Sequence, residues 1–277
     1  MNKIAVCGYS SSVGRYFLEW YGDAFEFVLL GRKDPDIYLD LRERKLFGDT
    51  GKLIGCRALI NFAAQTEDKS YDEIVSMTET NVLGSLFLAE TCRQYGIGKM
   101  IHISSISATY GETDPYYGYY ALTKKTADEM LTLFCKRNGI ALCVLRPSAL
   151  FGTEDFAKHQ RLLYGMMERV RRGETVCIYG TKDARRNYLH VDTLCEVIAA
   201  LIEKDVTGVY NVADPKNSAL TEIFGALKRY YGSDSEVRFL PDKPDVEELC
   251  LKDDGEIYRK LDIKTPDGFE EQLRRRD

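Results

Sequence analysis

A chain of 277 residues, 44% hydrophobic and 29% charged, has the size and composition of one large globular domain, or of one domain with a smaller lobe. Its formal net charge of −5 gives no electrostatic footprint for nucleic acid, and no apolar run reaches the roughly 18 to 20 residues of a membrane span. The start, "MNKIAVCGYSSSVG", runs straight into a strand pattern and lacks the longer apolar region of a signal peptide. The eight cysteines form no Cys-x-x-Cys pair and mostly sit in apolar runs, Cys7 and Cys143 among them. They read as reduced core residues of a cytoplasmic protein. His102, His159 and His190 are far apart, so no metal site is expected, and Arg274-Arg275-Arg276 reads as a solvated end.

In chain order, "KIAVCG" (3–8) predicts a buried strand, "VGRYFLEWYG" a helix, "FEFVLLG" (25–31) a second strand and "RALINFAA" (57–64) a third. A long helix over 71–95 precedes the strand "KMIHISS" (99–105). A helix then runs from 120 to about 138, before the strand "IALCVLRP" (140–147). Beyond Pro147 the pattern loosens: a helix over 158–172, a strand over 175–179, an extended 186–191, a helix over 192–203, a strand over 208–213 and a helix over 220–231. From about Glu236, with Pro241, Pro244 and Pro266, the end reads as a small irregular lobe. Alternating strands and helices predict an α/β fold. The strands are continuous apolar runs, as in a parallel sheet buried on both faces, so the fold class is Rossmann-type, doubly wound, with a small C-terminal substrate-binding lobe. The expected division is 1–150, rejoined by 186–213, for the dinucleotide-binding domain, and 151–185 with 214–277 for the lobe.

The first strand–helix turn, "GYSSSVG", has Gly8 and Gly14 six residues apart. Glycine lets backbone approach a pyrophosphate closely, and the helix start offers N–H groups to it. Ser11 stands where a G-x-x-G-x-x-G fingerprint has its middle glycine, and Ser10, Ser11 and Ser12 can supply hydroxyls instead. The alternative is an ordinary strand–helix turn. Its place as the first such turn favours a dinucleotide. At the end of the second strand, Arg32 and Lys33 precede the first acid, Asp34. An acid there would hold the ribose of NAD and an arginine the 2′-phosphate of NADP. Arg32 therefore favours NADP(H) over NAD(H), the alternative being that it is merely exposed.

"YYGYYALTKK" (116–125) holds four tyrosines. On a helix, side chains meet at i,i+4, and only Tyr120 has a lysine there, Lys124. An adjacent ammonium would favour the phenolate. The plainer reading is aromatic packing on an amphipathic helix.

Taken together, "GYSSSVG", "LDL" (39–41), "NFAA" (61–64), "NVLG" (81–84), "ISSISATYG" (103–111), "YALTK" (120–124), "LRPSALFG" (145–152) and "RNYLHVDT" (186–193) resemble, in order and spacing, the extended short-chain dehydrogenase/reductases, the NAD-dependent epimerase/dehydratase family that modifies nucleotide sugars. The resemblance covers nearly the whole chain. It implies that Gly8, Ser11 and Gly14, with Ser10, Ser12 and Val13 between them, border the pyrophosphate. Asp40 and Leu41 would face the adenine, Ala63 and Ala64 line the cofactor cleft, Asn81 support the active-site end of its helix and Pro147 flank the nicotinamide. Ser105, Tyr120 and Lys124 match the catalytic trio, and Tyr120 and Lys124 also meet the cofactor. Arg186, Ser107 and Lys243 are the substrate-side candidates, Arg186 for a nucleotide diphosphate.

Departures from the family pattern are specific. Counting from the strand makes Ser105 the catalytic hydroxyl, whereas counting back from Tyr110 gives Ile106; Ser104 and Ser107 are possible substitutes. Ile106-Ser107 stands where dehydratases often carry Asp-Glu, which argues against 4,6-dehydration, and Ala149 replaces an asparagine that helps bind the diphosphate. The implied activity is an NADP(H)-dependent oxidoreductase working on a keto or hydroxyl carbon of a sugar, its partner a small nucleotide-linked substrate. The alternatives are a nucleotide-sugar epimerase with permanently held NAD, a reductase of another carbonyl compound and a non-enzymatic dinucleotide sensor. A homodimer is expected through the helices 71–95 and 120–138, with Leu83, Leu86, Phe87, Ala127, Met130, Leu131 and Phe134 as its apolar surface.

Overall fold

The computed structural model describes residues 1–253 and 255–275; Arg276 of the C-terminal cluster lies outside them. In chain order its main elements are β1 (Asn2–Cys7), α1 (Ser12–Tyr21), β2 (Phe25–Gly31), β3 (Ile37–Asp40), β4 (Lys45–Phe47), β5 (Ala58–Asn61), α2 (Tyr71–Thr78), α3 (Ser85–Tyr95), β6 (Lys99–Ile103), α4 (Tyr119–Asn138) and β7 (Ala141–Pro147). There follow β8 (Ala149–Phe151), α5 (Arg161–Arg171), β9 (Val176–Tyr179), β10 (Arg185–Arg186), β11 (Tyr188–His190), α6 (Val191–Glu203), β12 (Gly208–Val212), β13 (Ser218–Ala219), α7 (Leu220–Tyr231), β14 (Val237–Leu240), α8 (Glu256–Leu261) and α9 (Phe269–Leu273).

Eight strands form one sheet in the order β12-β7-β6-β5-β1-β2-β3-β4. The pairs β7/β6, β6/β5, β5/β1, β1/β2 and β2/β3 are parallel, and the edge pair β3/β4 is antiparallel. This is the Rossmann-type α/β fold that the apolar runs predict. Ile4, Ala5 and Val6 of β1 and Ala58, Leu59 and Ile60 of β5 are fully buried, because helices cover both sheet faces.

Contacts divide the chain into two units. The first holds Met1–Pro147 and Cys195–Asn211, the second Ser148–Leu194 and the chain from Val212 on. Residues 148–150, 186–194 and 212–213, which the sequence reading assigns to the first body, group with the second. In the first unit, the C-terminal end of α6 is tied down by cations. Lys99 Nζ donates to the carbonyls of Leu201 and Lys204 at 2.9 and 2.8 Å, and Arg57 Nε to that of Ile202 at 2.7 Å, which satisfies carbonyls that the helix leaves open.

The second unit is more ordered than its sequence suggests. Its tail forms β14, which pairs in parallel with β9, and the short helices α8 and α9. Leu163 and Met166 of α5, Ile223 and Leu227 of α7, and Phe269 make a separate apolar core. The segment 71–95 is also not one regular helix. Between α2 and α3 lies a turn of wider π geometry, Glu79–Gly84. On the proposed dimer face, Ala127 and Leu131 are fully buried in the protomer's own core, while Leu83, Leu122 and Leu133 are exposed.

Candidate functional site

At the C-terminal ends of β1, β2, β3 and β5 lies a cleft of about 620 Å³ in the first unit. Its lining includes Gly8, Ser10, Ser11, Arg32, Asp40, Leu41, Ala63 and Ala64, so the sheet brings eight of the sequence candidates to one place. Parallel sheets open their ligand crevices at this end. Gly8 has φ +77°, and a Cβ there would lie 2.4 Å from the Ala63 nitrogen. A Cβ on Gly14 would come within 2.5 Å of the Gly8 carbonyl oxygen. Both glycines are dictated by the close approach of backbone to backbone around the turn. The fit to a dinucleotide is thus carried by a glycine-built cradle at a helix start, with cations at the far wall.

The serines divide their work. Ser11 caps α1, its Oγ accepting the Gly14 N–H at 3.1 Å, so this hydroxyl is partly committed to the helix. Ser12 and Val13 form the first turn of α1 beside the cleft. Asp40 is also engaged: Oδ1 accepts the N–H groups of Arg42 and Glu43 at 2.9 and 3.2 Å.

Asn81 sits in the π turn and is buried. Its Oδ1 accepts the Gln65 N–H at 2.8 Å, while Nδ2 donates to the Gln65 carbonyl at 2.9 Å and to Thr123 Oγ1 at 3.2 Å. It therefore clamps the loop after β5 to α4, the helix of Tyr120 and Lys124. A π turn has a known tendency to occur at functional sites, and here it aims one polar side chain inward.

At the start of α4, Tyr120 is near enough to the Ser105 hydroxyl to be influenced by it, and Ser105 Oγ accepts from Ser107 Oγ at 2.7 Å. Ile106, the residue obtained by counting back from Tyr110, is buried. Lys124 Nζ lies 5.9 Å from the Tyr120 ring centroid and donates to the Ile103 carbonyl at 2.9 Å. Tyr116, Tyr117 and Tyr119 are exposed. Pro147 ends β7 and is buried.

Electrostatics here are ruled by burial. Desolvation pushes the Lys124 ammonium down to about 8, against the opposing pull of Asp128. Burial pushes the Tyr120 phenol up to about 12; the nearby Ser105 hydroxyl works the other way, and Asp128 adds to the rise. The expectation that Lys124 lowers the phenol is thus not met, because desolvation of the phenolate outweighs the nearby ammonium. His102, fully buried, is held neutral by burial and then by the Lys124 charge.

Two features escape the sequence reading. Asp128, one turn beyond Lys124, is buried and paired at 2.8 Å to Arg146 Nε on β7. Its i,i+4 spacing from Lys124 was a usable signal. The second is Asn61, whose Nδ2 lies 3.2 Å from both Ser85 Oγ and His102 Nδ1 while its Oδ1 accepts the Ala63 N–H at 3.0 Å. Only the sheet brings those residues together. Arg186 and Lys243 are in the second unit, the former buried and the latter exposed.

A parallel sheet with a glycine-cradled crevice at the C-terminal ends of its strands is the architecture of a dinucleotide-binding protein. The chain belongs to the NAD dependent epimerase/dehydratase family, whose model matches residues 4–213, and it is an NAD(P)-dependent enzyme of the extended short-chain dehydrogenase/reductase type. It is 28% identical over 259 residues to the putative UDP-glucose 4-epimerase of Methanocaldococcus jannaschii, covering 88% of this chain and 77% of that protein. It is 26% identical over 247 residues to the dTDP-glucose 4,6-dehydratase of Streptomyces niveus, covering 84% and 72%. Among solved structures, the UDP-N-acetylglucosamine 4-epimerase from Methanobrevibacter ruminantium M1 shares the fold at a TM-score of 0.79 and 22% identity, over 99% of this chain and 96% of that one.

Proposed function

We propose that the protein is an NADP(H)-dependent oxidoreductase acting on a keto or hydroxyl carbon of a nucleotide-linked sugar. The observation that carries this reading is the glycine-built cleft with Arg32 on its wall, together with the buried Lys124 ammonium 5.9 Å from the Tyr120 ring at the start of α4. Gly8, Ser10, Ser11, Ser12, Val13 and Gly14 would hold the pyrophosphate, Arg32 the 2′-phosphate, Asp40 and Leu41 the adenine end. Ala63, Ala64 and Pro147 would wall the cofactor, and Asn81 would keep α4 in place. When bound, the dinucleotide supplies or accepts the hydride.

The chain's own residues handle the proton. As negative charge grows on the substrate oxygen, Ser105 donates a hydrogen bond to it and Tyr120 gives up its proton as general acid. A phenol pushed up to about 12 is fully protonated near neutral pH, which suits donation. Lys124, largely cationic at that pH, would stabilise the phenolate left behind and would meet the nicotinamide ribose. In the reverse direction Tyr120 is the base. Ser107 supports Ser105 on the substrate side, and Arg186 and Lys243 are the second unit's candidates for the substrate diphosphate. Ile106 and Ser107 offer no carboxyl for an elimination step.

The likeness to a UDP-glucose 4-epimerase favours a second reading, in which one carbon is oxidised and re-reduced with no net redox change. The two separate by stoichiometry. The protein is incubated with NADPH and a panel of UDP-, dTDP- and GDP-linked 4-keto sugars, and product is counted against absorbance lost at 340 nm. Reduction predicts one NADPH consumed per product. An isomeric product formed from a 4-hydroxy sugar without NADPH loss would replace this reading with the epimerase.

We further propose a cytoplasmic homodimer, built on the exposed Leu83, Leu122 and Leu133 of two neighbouring helical segments. Light scattering during size exclusion at micromolar concentration should give twice the 31.6 kDa chain mass; a single species near 31.6 kDa would rule it out.

A further inference from the structure

Tyr9 follows Gly8 in the β1–α1 turn, and its ring reaches across the cleft to the end of β2. A Cβ on Gly31 would sit 2.8 Å from Tyr9 Cε1 and 3.3 Å from both Cζ and Oη, so the ring occupies the space that any other residue at 31 would fill. Gly31 is not in a left-handed conformation, so it is the Tyr9 ring, and not backbone strain, that a side chain at this position would meet. Beyond Gly31 the Tyr9 hydroxyl donates to the Lys33 carbonyl. Burial and then the Asp34 charge hold this phenol protonated, which keeps it a donor. Tyr9 thus ties the phosphate-side turn to the segment that carries Arg32 and Lys33.

That segment is otherwise little constrained. Both cations are exposed cleft residues, and among the described residues neither enters an ion pair. Arg42, across the same cleft, is already engaged with Glu79 at 3.4 Å. The neighbouring acid Asp36 is committed as well: it accepts the Leu29 N–H at 2.9 Å and meets Lys52 Nζ at 3.1 Å. Arg32 and Lys33 are therefore the cations left to face an added phosphate, and between the β2/β3 pairing and Asp36 their backbone is held by the Tyr9 hydroxyl.

We propose that Tyr9 is a positioning residue for cofactor choice: by pinning the Lys33 carbonyl against Gly31, it holds Arg32 and Lys33 where a ribose 2′-phosphate is recognised. This rests on the NADP(H) reading above. The ligand chemistry is a phosphomonoester on the adenosine ribose, so short probes suffice. Losing the anchor leaves the cations free to wander and weakens only the ligand that carries the extra phosphate.

The test is calorimetric titration of wild type, Tyr9→Phe and Gly31→Ala with NADPH, NADH, 2′,5′-ADP and 5′-AMP. Tyr9→Phe keeps the ring and removes the hydroxyl. One hydrogen bond of ordinary net strength corresponds to about a fivefold loss, expected for NADPH and 2′,5′-ADP, with NADH and 5′-AMP changed less than about twofold. Gly31→Ala, whose methyl group strikes the ring, should shift the ratio the same way. Wild type that prefers NADPH together with a Tyr9→Phe variant of unchanged ratio would overturn the role of Tyr9 and leave the NADP(H) reading standing. Equal weakening of all four ligands would reduce Tyr9 to plain structural support and also overturn it. Wild type without any preference would defeat the NADP(H) reading and this inference together.

Discussion

The two ends of the first unit's candidate site are built by opposite means. At the dinucleotide cleft, Gly8, Gly14 and Gly31 create room, the cations stand in solvent, and hydrogen bonds run to nearby backbone. Around α4, Lys124, Asn81, His102 and Asp128 are almost wholly out of water, and burial moves the protonation equilibria of Lys124, His102 and Asp128. The comparison teaches that binding here depends on what side chains are missing, whereas chemistry depends on which charges are desolvated. Each half has its own failure mode, steric for the cleft and electrostatic for the row on α4.

The largest expected effect breaks the steric half. Gly8→Val places a branched side chain at φ +77° against the Ala63 backbone nitrogen, 2.4 Å from the Cβ position. Backbone strain and the clash together should cost about 3 kcal/mol or more, read as a lower urea midpoint, and NADPH binding should vanish in calorimetry. A variant as stable as wild type would show that the turn yields freely.

Lys124→Met probes the electrostatic half. Depression of the ammonium from 10.5 to about 8 costs the folded state about 3 kcal/mol near neutral pH. The variant also loses the bond to the Ile103 carbonyl, worth about 1 kcal/mol, so a net gain of about 2 kcal/mol is expected at pH 7. Between about pH 8 and 10.5 the unfolded wild-type chain binds a proton that the folded chain does not. Wild-type stability therefore rises through that window and the advantage of methionine fades. Urea titrations at pH 7 and pH 10 check this; a methionine variant less stable at both would contradict the burial argument.

Ser11→Ala is the mildest. Loss of the cap on the Gly14 N–H should cost about 1 kcal/mol and weaken binding of pyrophosphate-containing ligands modestly, since the helix start remains. Thermal unfolding and titration with NADPH would show it.

Much of this molecule was legible in its sequence. Buried parallel strands such as Lys99–Ile103 declare themselves as apolar runs, and α7 follows its amphipathic period from Leu220 to Tyr231. The hairpin β3–β4 did not, because three residues, Lys45–Phe47, carry no readable period. The π turn at Glu79–Gly84 keeps the apolar spacing of a helix, so only backbone geometry reveals it. At the site, the i,i+4 rule singled out Tyr120 with Lys124. The direction of the phenol's shift was missed, because neighbours can be read from spacing while the depth of burial cannot. Tyr9 was invisible for a related reason: its importance lies in Gly31, 22 positions away, which the sheet alone brings against it.

Tyr120, beside Lys124, is proposed to carry the proton. The most direct test of that role is single-turnover reduction of a nucleotide-linked 4-keto sugar by wild type, Tyr120→Phe and Tyr119→Phe, each saturated with NADPH. Removing a general acid typically costs 10² to 10⁴-fold, so Tyr120→Phe should lose about a thousandfold in rate while binding NADPH as wild type does, and the exposed Tyr119→Phe should stay within about threefold. Equal rates for the two variants would contradict the account.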